Sequence, residues 1–332
     1  MRNDTFFTGA KTVLTVHNLG YQGLFWHWDW PMLNLGWEYF HPEDGLEYYG
    51  KINFLKGGII FADAISTVSK RYAKEIQTEE YGYGLDGLLR KYAGKLFGIL
   101  NGIDTDEWNP KADRYIASKF SADDMSGKAA CKADLQKTMG LPVSADTPLV
   151  GVISRFTDQK GMDLVTGGAV DLMKLGIQLA ILGRGEPEYE DEFKKLAKAY
   201  PKSVAVKIEF SSELAHKIEA GSDFFLMPSK YEPCGLNQMY SLAYGTIPIV
   251  RATGGLDDTI TNFSEDTGRG NGVKFRDYSS QAMVRATKKM VAVYKRSKLM
   301  AKLRQNAFLC DFSWERSANE YLKLYRKIQR SK

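Results

Sequence analysis

"DFFLMPSKYEPCGLNQMYSLAYGTIPIV", residues 223–250, sets two apolar runs on either side of a polar turn and a helical stretch. "DFFLMPS" (223–229) reads as a strand, since large apolar residues cluster just ahead of a Pro-Ser breaker. "TIPIVRA" (246–252), rich in β-branched residues, reads as the next strand. Between them a helical run follows Glu232, and Pro233 suits a first helical turn. A strand, a helix and another strand in succession argue for a parallel sheet covered by helices.

The same alternation extends outward in both directions. "PLVGVISR" (148–155), "IQLAILG" (177–183) and "VAVKIEF" (204–210) read as further strands, each followed by a helical or glycine-rich segment. A shorter series comes first. It has a strand at "KTVLTVHN" (11–18), a helix over "GKINFLKGGIIFAD" (50–63), a strand at "AISTVS" (64–69), a helix at "KRYAKEIQ" (70–77) and a strand at "KLFGILNG" (95–102). The stretch 105–147 is polar, with a helix expected at "KAACKADLQKTMG" (128–140).

This pattern predicts an α/β protein with two Rossmann-like, doubly wound domains. The expected division is 1–104 for the first domain, 105–147 for a connection and 148–312 for the second domain. The segment 313–332, with the amphipathic "SWERSANEYLKLYRKIQ", is expected to pack back on the first domain. The first series is short for such a domain, so either that domain is small or its beginning is absent from this chain.

Composition narrows the function classes. Hydrophobic residues make up 44% and charged residues 26% of the 332 residues, the balance of a globular protein. A net charge of +5 suits an anionic small ligand and is too weak to argue for nucleic acid. No apolar run is long enough to span a membrane, and the N-terminus lacks the pattern of a secretory signal. Cys131, Cys234 and Cys310 are scattered, without metal-site spacing, so a reducing compartment, the cytoplasm, is expected.

In open α/β sheets ligands collect past the carboxyl ends of the strands, and the residues there are unusually polar. Arg155 and Lys160 follow "LVGVI" on a loop that opens a helix, a pair able to hold a diphosphate or two solvated surface cations. The glycines of "ATGGLDDT" (252–259) offer backbone N–H groups to a phosphate, or form an ordinary turn. His17 and Asn18 end their strand beside "LGYQGLFW", as substrate contacts or as satisfied polar groups. The aromatic run "FWHWDWP" (25–31) fits a sugar-stacking platform and equally a self-packed loop. Glu232 is the clearest candidate, because Asp or Ser is the usual helix cap and Pro233 fixes the acid ahead of exposed N–H groups. Cys234 reads as a packing residue, with no His or Lys beside it to activate a thiol.

Taken in order, "HNLGYQG" (17–23), "TVSKRYAKEI" (67–76), "LNGIDTDEWNP" (100–110), "SRFTDQKG" (154–161), "LAHKIEAGSDFFLMPSKYEPCGLNQMYSLAYGTIPIVRATGGLDDT" (214–259) and "FSWERSANEYLKLY" (312–325) resemble bacterial glycogen synthase and plant starch synthase. The resemblance covers essentially the whole chain, and motifs of this length are highly specific. It implies the GT-B architecture, two Rossmann-like domains facing a cleft. The implied reaction moves glucose from ADP-glucose to the 4-OH end of an α-1,4-glucan with retention of configuration.

Carried over by position, the resemblance gives Arg155 and Lys160 to the donor diphosphate. It puts His17 near the glucose 6-OH and close to the reacting carbon as a catalytic residue, Asn18 at the substrate, Asn101 at the glucose and Glu232 at its 3-OH, with Cys234, Gly235 and Leu236 also at the sugar. Phe210 falls where the base stacks, and Thr253 and Gly254 near the distal phosphate. No protein nucleophile, cofactor or metal is implied.

Two departures qualify the match, at Phe210 and at the N-terminal loop. Phe210 replaces the usual tyrosine, so stacking survives and a hydroxyl is lost. Tyr240 stands where many retaining GT-B enzymes carry a second glutamate, which narrows the family to the glycogen/starch branch. The family's N-terminal Lys-Gly-Gly-Leu loop is absent from the sequence, which points to a chain lacking roughly its first third. The alternative expectation is therefore a catalytically weak protein that binds nucleotide or glucan through its second domain. A sucrose-type transferase fits "EPCGLNQMY" poorly.

Overall fold

Among the described residues, six strands form before Asn101: β1 (Val13–Val16), β2 (Leu24–Trp26), β3 (Glu47–Tyr48), β4 (Lys51–Asn53), β5 (Ala64–Thr67) and β6 (Leu96–Gly98). The computed structural model describes residues 5–7 and 9–330. It divides into two compact units, Met1–Asn101 with Ser317–Lys332, and Gly102–Arg316.

In the first unit β1, β5 and β6 make a parallel sheet in that order, and β2, β4 and β3 an antiparallel one. Val16 lies opposite Thr67, and Thr67 opposite Gly98, so the three carboxyl ends are level. The α-helices among them are α1 (Phe54–Phe61), α2 (Lys70–Glu75) and α3 (Asp86–Lys91).

The helix expected over 50–63 starts only at Phe54. Tyr49 and Gly50 both take positive φ, 49° and 75°, which is the turn that closes a two-residue hairpin between β3 and β4. Asn53 then caps α1, its side chain accepting from the Lys56 N–H. The residues before the cap are thereby committed to the antiparallel sheet.

The second unit contains β7 (Leu149–Phe156), β8 (Gln178–Gly185), β9 (Val204–Ile208), β10 (Phe224–Met227), β11 (Ile247–Arg251) and β12 (Val273–Phe275). All pair in parallel, in the order β12-β11-β10-β7-β8-β9. The helices are α4 (Ser126–Met139), α5 (Met162–Gly167), α6 (Ala169–Met173), α7 (Pro187–Ala199), α8 (Ser212–Gly221), α9 (Asn237–Ala243), α10 (Gly254–Thr259), α11 (Ser280–Tyr294) and α12 (Ser297–Phe308). β12 is too short a run to be read from the sequence.

Successive strand residues point to opposite faces, and here both faces are dry. Val150, Val152, Leu179, Ile181, Phe224 and Leu226 join a core with Phe193 of α7, Leu242 of α9, Met290 of α11 and Leu303 of α12. Their neighbours Leu149, Ala180, Leu182 and Phe225 join Leu135 and Met139 of α4 and Leu214 and Ile218 of α8 on the other side.

The polar stretch 105–147 is packed within this second unit. Ile116 and Phe120 are buried against Cys131, Ala220 and Tyr244, with Trp108 beside them. The last helix, α13 (Trp314–Arg330), buries Leu324 and Ile328 against Ala64 and Ile99 of the first unit.

Phe225 is fully buried in the smaller of the two layers. Phe225→Ala is expected to cost about 3–5 kcal/mol of unfolding free energy, read from the midpoint of urea denaturation.

Candidate functional site

The strand order places β7 beside β10 although they are not consecutive, and a crevice opens past the carboxyl ends of such a pair. A pocket of about 430 Å³ lies there, lined among others by Arg155, Lys160, Phe210, Ser229, Glu232, Gly235 and Leu236. Arg155 lies near the end of β7 and Lys160 follows that strand, Phe210 follows β9, and Ser229, Glu232, Gly235 and Leu236 follow β10. Phe210 is 80% exposed, with its ring free to take a flat partner. Arg155, in the last turn of β7, is exposed and reaches Gln159 Oε1 at 3.4 Å.

The structure separates the two cations Arg155 and Lys160 by partner. The Lys160 ammonium donates to Glu232 Oε2 at 2.6 Å. The Ser229 hydroxyl donates to the same oxygen at 3.0 Å. Glu232 retains only 5% of its exposure, so its carboxylate meets Lys160 and Ser229 in place of water.

Backbone geometry brings the pair together. Lys160 ends a single 3-10 turn, Asp158–Lys160, and Gly161 follows at φ 71°. A Cβ on Gly161 would lie 2.2 Å from the Pro228 carbonyl oxygen, so only glycine lets the turn approach the loop after β10. The Lys230 N–H then bonds the Gln159 carbonyl at 2.9 Å, joining turn to loop.

The segment after Glu232 is a turn, where a helix was expected. Gly235 has φ 70°, a left-handed conformation that interrupts helical geometry, and α9 begins only at Asn237. Gln238 closes the turn, its Nε2 donating to the carbonyls of Cys234 (3.1 Å) and Gly235 (3.0 Å). Among the described residues the N–H groups of Gly235 and Leu236 donate no hydrogen bond, and both residues line the pocket.

Cys234 is buried and does not line the pocket. Thr253, at 1% exposure, and Gly254 also lie outside the lining. Their glycine pair has a packing role. A Cβ on Gly254 would stand 1.9 Å from the Glu232 carbonyl oxygen, and one on Gly255 1.9 Å from that of Cys234. The Gly255 N–H bonds the Glu232 carbonyl at 3.0 Å.

Residues that carried no signal in the sequence brace these loops from outside. Tyr189 of α7 donates to Asp158 Oδ1, fixing the turn that carries Lys160. Tyr278 donates to Asp163 Oδ1 at 2.6 Å, and its hydroxyl pKa is raised by burial and then by that carboxylate, so it stays a donor. Arg251 lies 5.4 Å over the Tyr278 ring and donates to the Lys230 carbonyl at 2.5 Å. Tyr240 faces away from the pocket lining and stacks on Trp108 at 3.8 Å and 10°.

His17, Asn18 and Asn101 belong to the first unit. They follow the level carboxyl ends of β1 and β6 and so share one sheet edge. His17 is exposed. Asn18 closes its own turn, Oδ1 accepting from the Gly20 N–H at 3.0 Å, and Asn101 is half-buried. The aromatic run divides. Trp30 is buried with Leu46 and Ile52, whereas Trp26 and Trp28 are 70% and 75% exposed.

Residues 1–91 match the model of the starch synthase catalytic domain, and residues 140–309 that of glycosyl transferases group 1. The chain is similar to a glycogen synthase of Koribacter versatilis (strain Ellin345), 51% identical over 98% of this chain and 67% of that protein. It is also similar to a glycogen synthase of Thermosipho africanus (strain TCF52B), 48% identical over 98% of this chain and 67% of that protein. Among solved structures, the catalytic domain of starch synthase IV from Arabidopsis thaliana bound to ADP and acarbose superposes with a TM-score of 0.91. That structure is 34% identical, over 99% of this chain and 70% of the other. Sucrose-phosphate synthase from Thermosynechococcus elongatus, 20% identical with a TM-score of 0.59 over 95% of this chain and 67% of that one, shares the fold.

The glycine pair supplies a test of how rigid the pocket wall is. Gly255→Ala puts a methyl group 1.9 Å from the Cys234 carbonyl oxygen, a backbone atom that cannot turn aside. The expected loss is at least about 2 kcal/mol in urea denaturation. Gly94→Ala, with nothing within 4 Å of the added carbon, is the control and should leave stability unchanged or slightly raised.

Proposed function

The chain belongs to the family of glycogen and starch synthases, and from that premise we propose that it transfers glucose from ADP-glucose to the non-reducing 4-OH end of an α-1,4-glucan with retention of configuration. It is a glycosyltransferase of the GT-B fold, and its substrates are a nucleotide-sugar donor and a glucan acceptor.

The observation that carries the assignment of residues is the pocket at the β7–β10 switch point, where Arg155, Lys160 and Glu232 meet. Arg155 and Lys160 receive the donor diphosphate, and their charge stabilises the diphosphate as the bond to it breaks. Glu232 accepts the glucose 3-OH, and the N–H groups of Gly235 and Leu236 serve other sugar oxygens. Phe210 stacks on the base. Cys234, Thr253 and Gly254 shape the wall through backbone contacts. For His17, Asn18 and Asn101 the support is the family resemblance alone.

In this reaction the bond from glucose C1 to the diphosphate oxygen breaks, and the acceptor O4 bonds to C1 on the same face. The acceptor proton passes to the departing phosphate oxygen. No protein nucleophile takes part. The donor-binding role falls to the second unit and the acceptor role to the first. The cytoplasm is the proposed setting, supported by three free cysteines, Cys131, Cys234 and Cys310, which fit a reducing compartment.

The test is elongation of a maltooligosaccharide by the 332-residue chain, supplied with ADP-glucose or UDP-glucose. Extension of the oligosaccharide is expected, faster with ADP-glucose, and Arg155→Ala should lower kcat by about 10² or more. Nucleotide binding without elongation would instead support a binding-only protein. Preference for UDP-glucose would overturn the donor assignment.

A further inference from the structure

Lys160 has one positive charge and, on the donor assignment above, two claimants for it. The first is Glu232, whose Oε2 lies 2.6 Å from the ammonium. That carboxylate is buried, and its other hydrogen bond, from Ser229, goes to the same oxygen. The second is a diphosphate, which Lys160 faces from the pocket lining together with Arg155.

The charges in the pocket do not satisfy both. Arg155 and Lys160 are its lining cations, and Glu209 and Glu232 its lining carboxylates. Formal charge is therefore balanced before any ligand enters. A diphosphate brings at least two further negative charges, and an ammonium neutralised by a carboxylate at contact distance offers it little. A lysine side chain is long and flexible, so its charge can move between neighbouring anions by rotation alone.

We propose that Glu232 and the donor diphosphate compete for the Lys160 ammonium, so that diphosphate binding draws the lysine away and a glucosyl hydroxyl takes its place on the carboxylate. This rests on the reading of the pocket as the donor site. A nucleoside diphosphate without a sugar takes the lysine and leaves Glu232 with Ser229 only, a poor exchange for a buried carboxylate. An intact nucleotide-sugar supplies the hydroxyl that replaces the ammonium. The pocket therefore favours the whole donor over its product. Once glucose has left, Glu232 reclaims Lys160 and helps expel the diphosphate.

The experiment is a thermodynamic cycle with ADP as the probe, measured by titration calorimetry on the 332-residue chain. It compares wild type, Glu232→Gln, Lys160→Met and the double variant. Competition predicts that Glu232→Gln binds ADP at least about fivefold tighter than wild type, because the lysine no longer has a rival. In the Lys160→Met background the same substitution should change ADP affinity less than about twofold.

Equal tightening in both backgrounds would mean simple repulsion between Glu232 and phosphate, and would overturn the exchange. Unchanged or weaker ADP binding by Glu232→Gln would also overturn it, showing that the carboxylate steadies Lys160 for the phosphate. Failure of wild type to bind either ADP or ADP-glucose would instead remove the donor-site reading and the exchange with it. Ser229→Ala gives a second readout that leaves both charges in place. Glu232 then loses its remaining partner when Lys160 departs, so ADP binding should weaken several-fold. Unaltered ADP affinity in that variant counts against the exchange.

Discussion

The Glu232 carboxylate, with 5% of its surface exposed, is paired with the Lys160 ammonium at 2.6 Å. Lys160 and Glu232 lie 72 residues apart, so two chain segments must approach closely enough for one short side-chain bridge. That approach is made by backbone, with glycine removing the obstacle. Gly161 lets the lysine turn lie against Pro228, and Gly254 and Gly255 let another loop lie against the carbonyls of Glu232 and Cys234. Each of these carbonyls sits where a Cβ would otherwise be. The pocket wall is thus three backbone segments in contact, and its charged groups take their positions from that contact.

The sheet beneath makes this arrangement possible. With β7 beside β10, the loops after them leave the same edge in adjacent positions. Both faces of the sheet are covered by helices, so the strands cannot shift register without burying polar groups or exposing Phe224 or Phe225. Loops resting on such a frame can carry strained or close-packed geometry that an isolated loop could not hold. Gly235 at φ 70° and Gly254 at φ 44° are examples beside the pocket.

The sequence was informative wherever a local pattern sufficed. The five strands from β7 to β11, the polar residues at their ends and the place of Glu232 just past β10 could all be read from runs of apolar residues and their breakers. Contacts between distant segments were hidden. Nothing local says that Lys160 belongs to Glu232, or that Tyr189 and Tyr278 grip the turn before it. Those tyrosines look like any others until the fold supplies Asp158 and Asp163 as partners. The hairpin at Tyr49 and Gly50 was hidden for another reason. A strand of three residues joined directly to a capped helix has no period of its own.

The segment 105–147 shows how average polarity can conceal structure. Its few large residues pack where they count most for the site. Trp108 lies between His216, at 4.0 Å and 8°, and Tyr240, at 3.8 Å and 10°. Asp113 holds one end of this stack, 2.8 Å from His216 Nδ1, and also accepts from the Tyr244 hydroxyl at 2.6 Å. Tyr240 and Tyr244 lie on and just after α9, the helix that continues from the Glu232 turn. The stack therefore fixes α9 from behind, while Gln238 and the glycine pair fix the turn from its sides. A glutamate at position 240 would exchange a ring face for a charge against Trp108, with burial to oppose it. Tyrosine at that position serves the support of the turn, and Glu232 remains the turn's own carboxylate in the pocket lining.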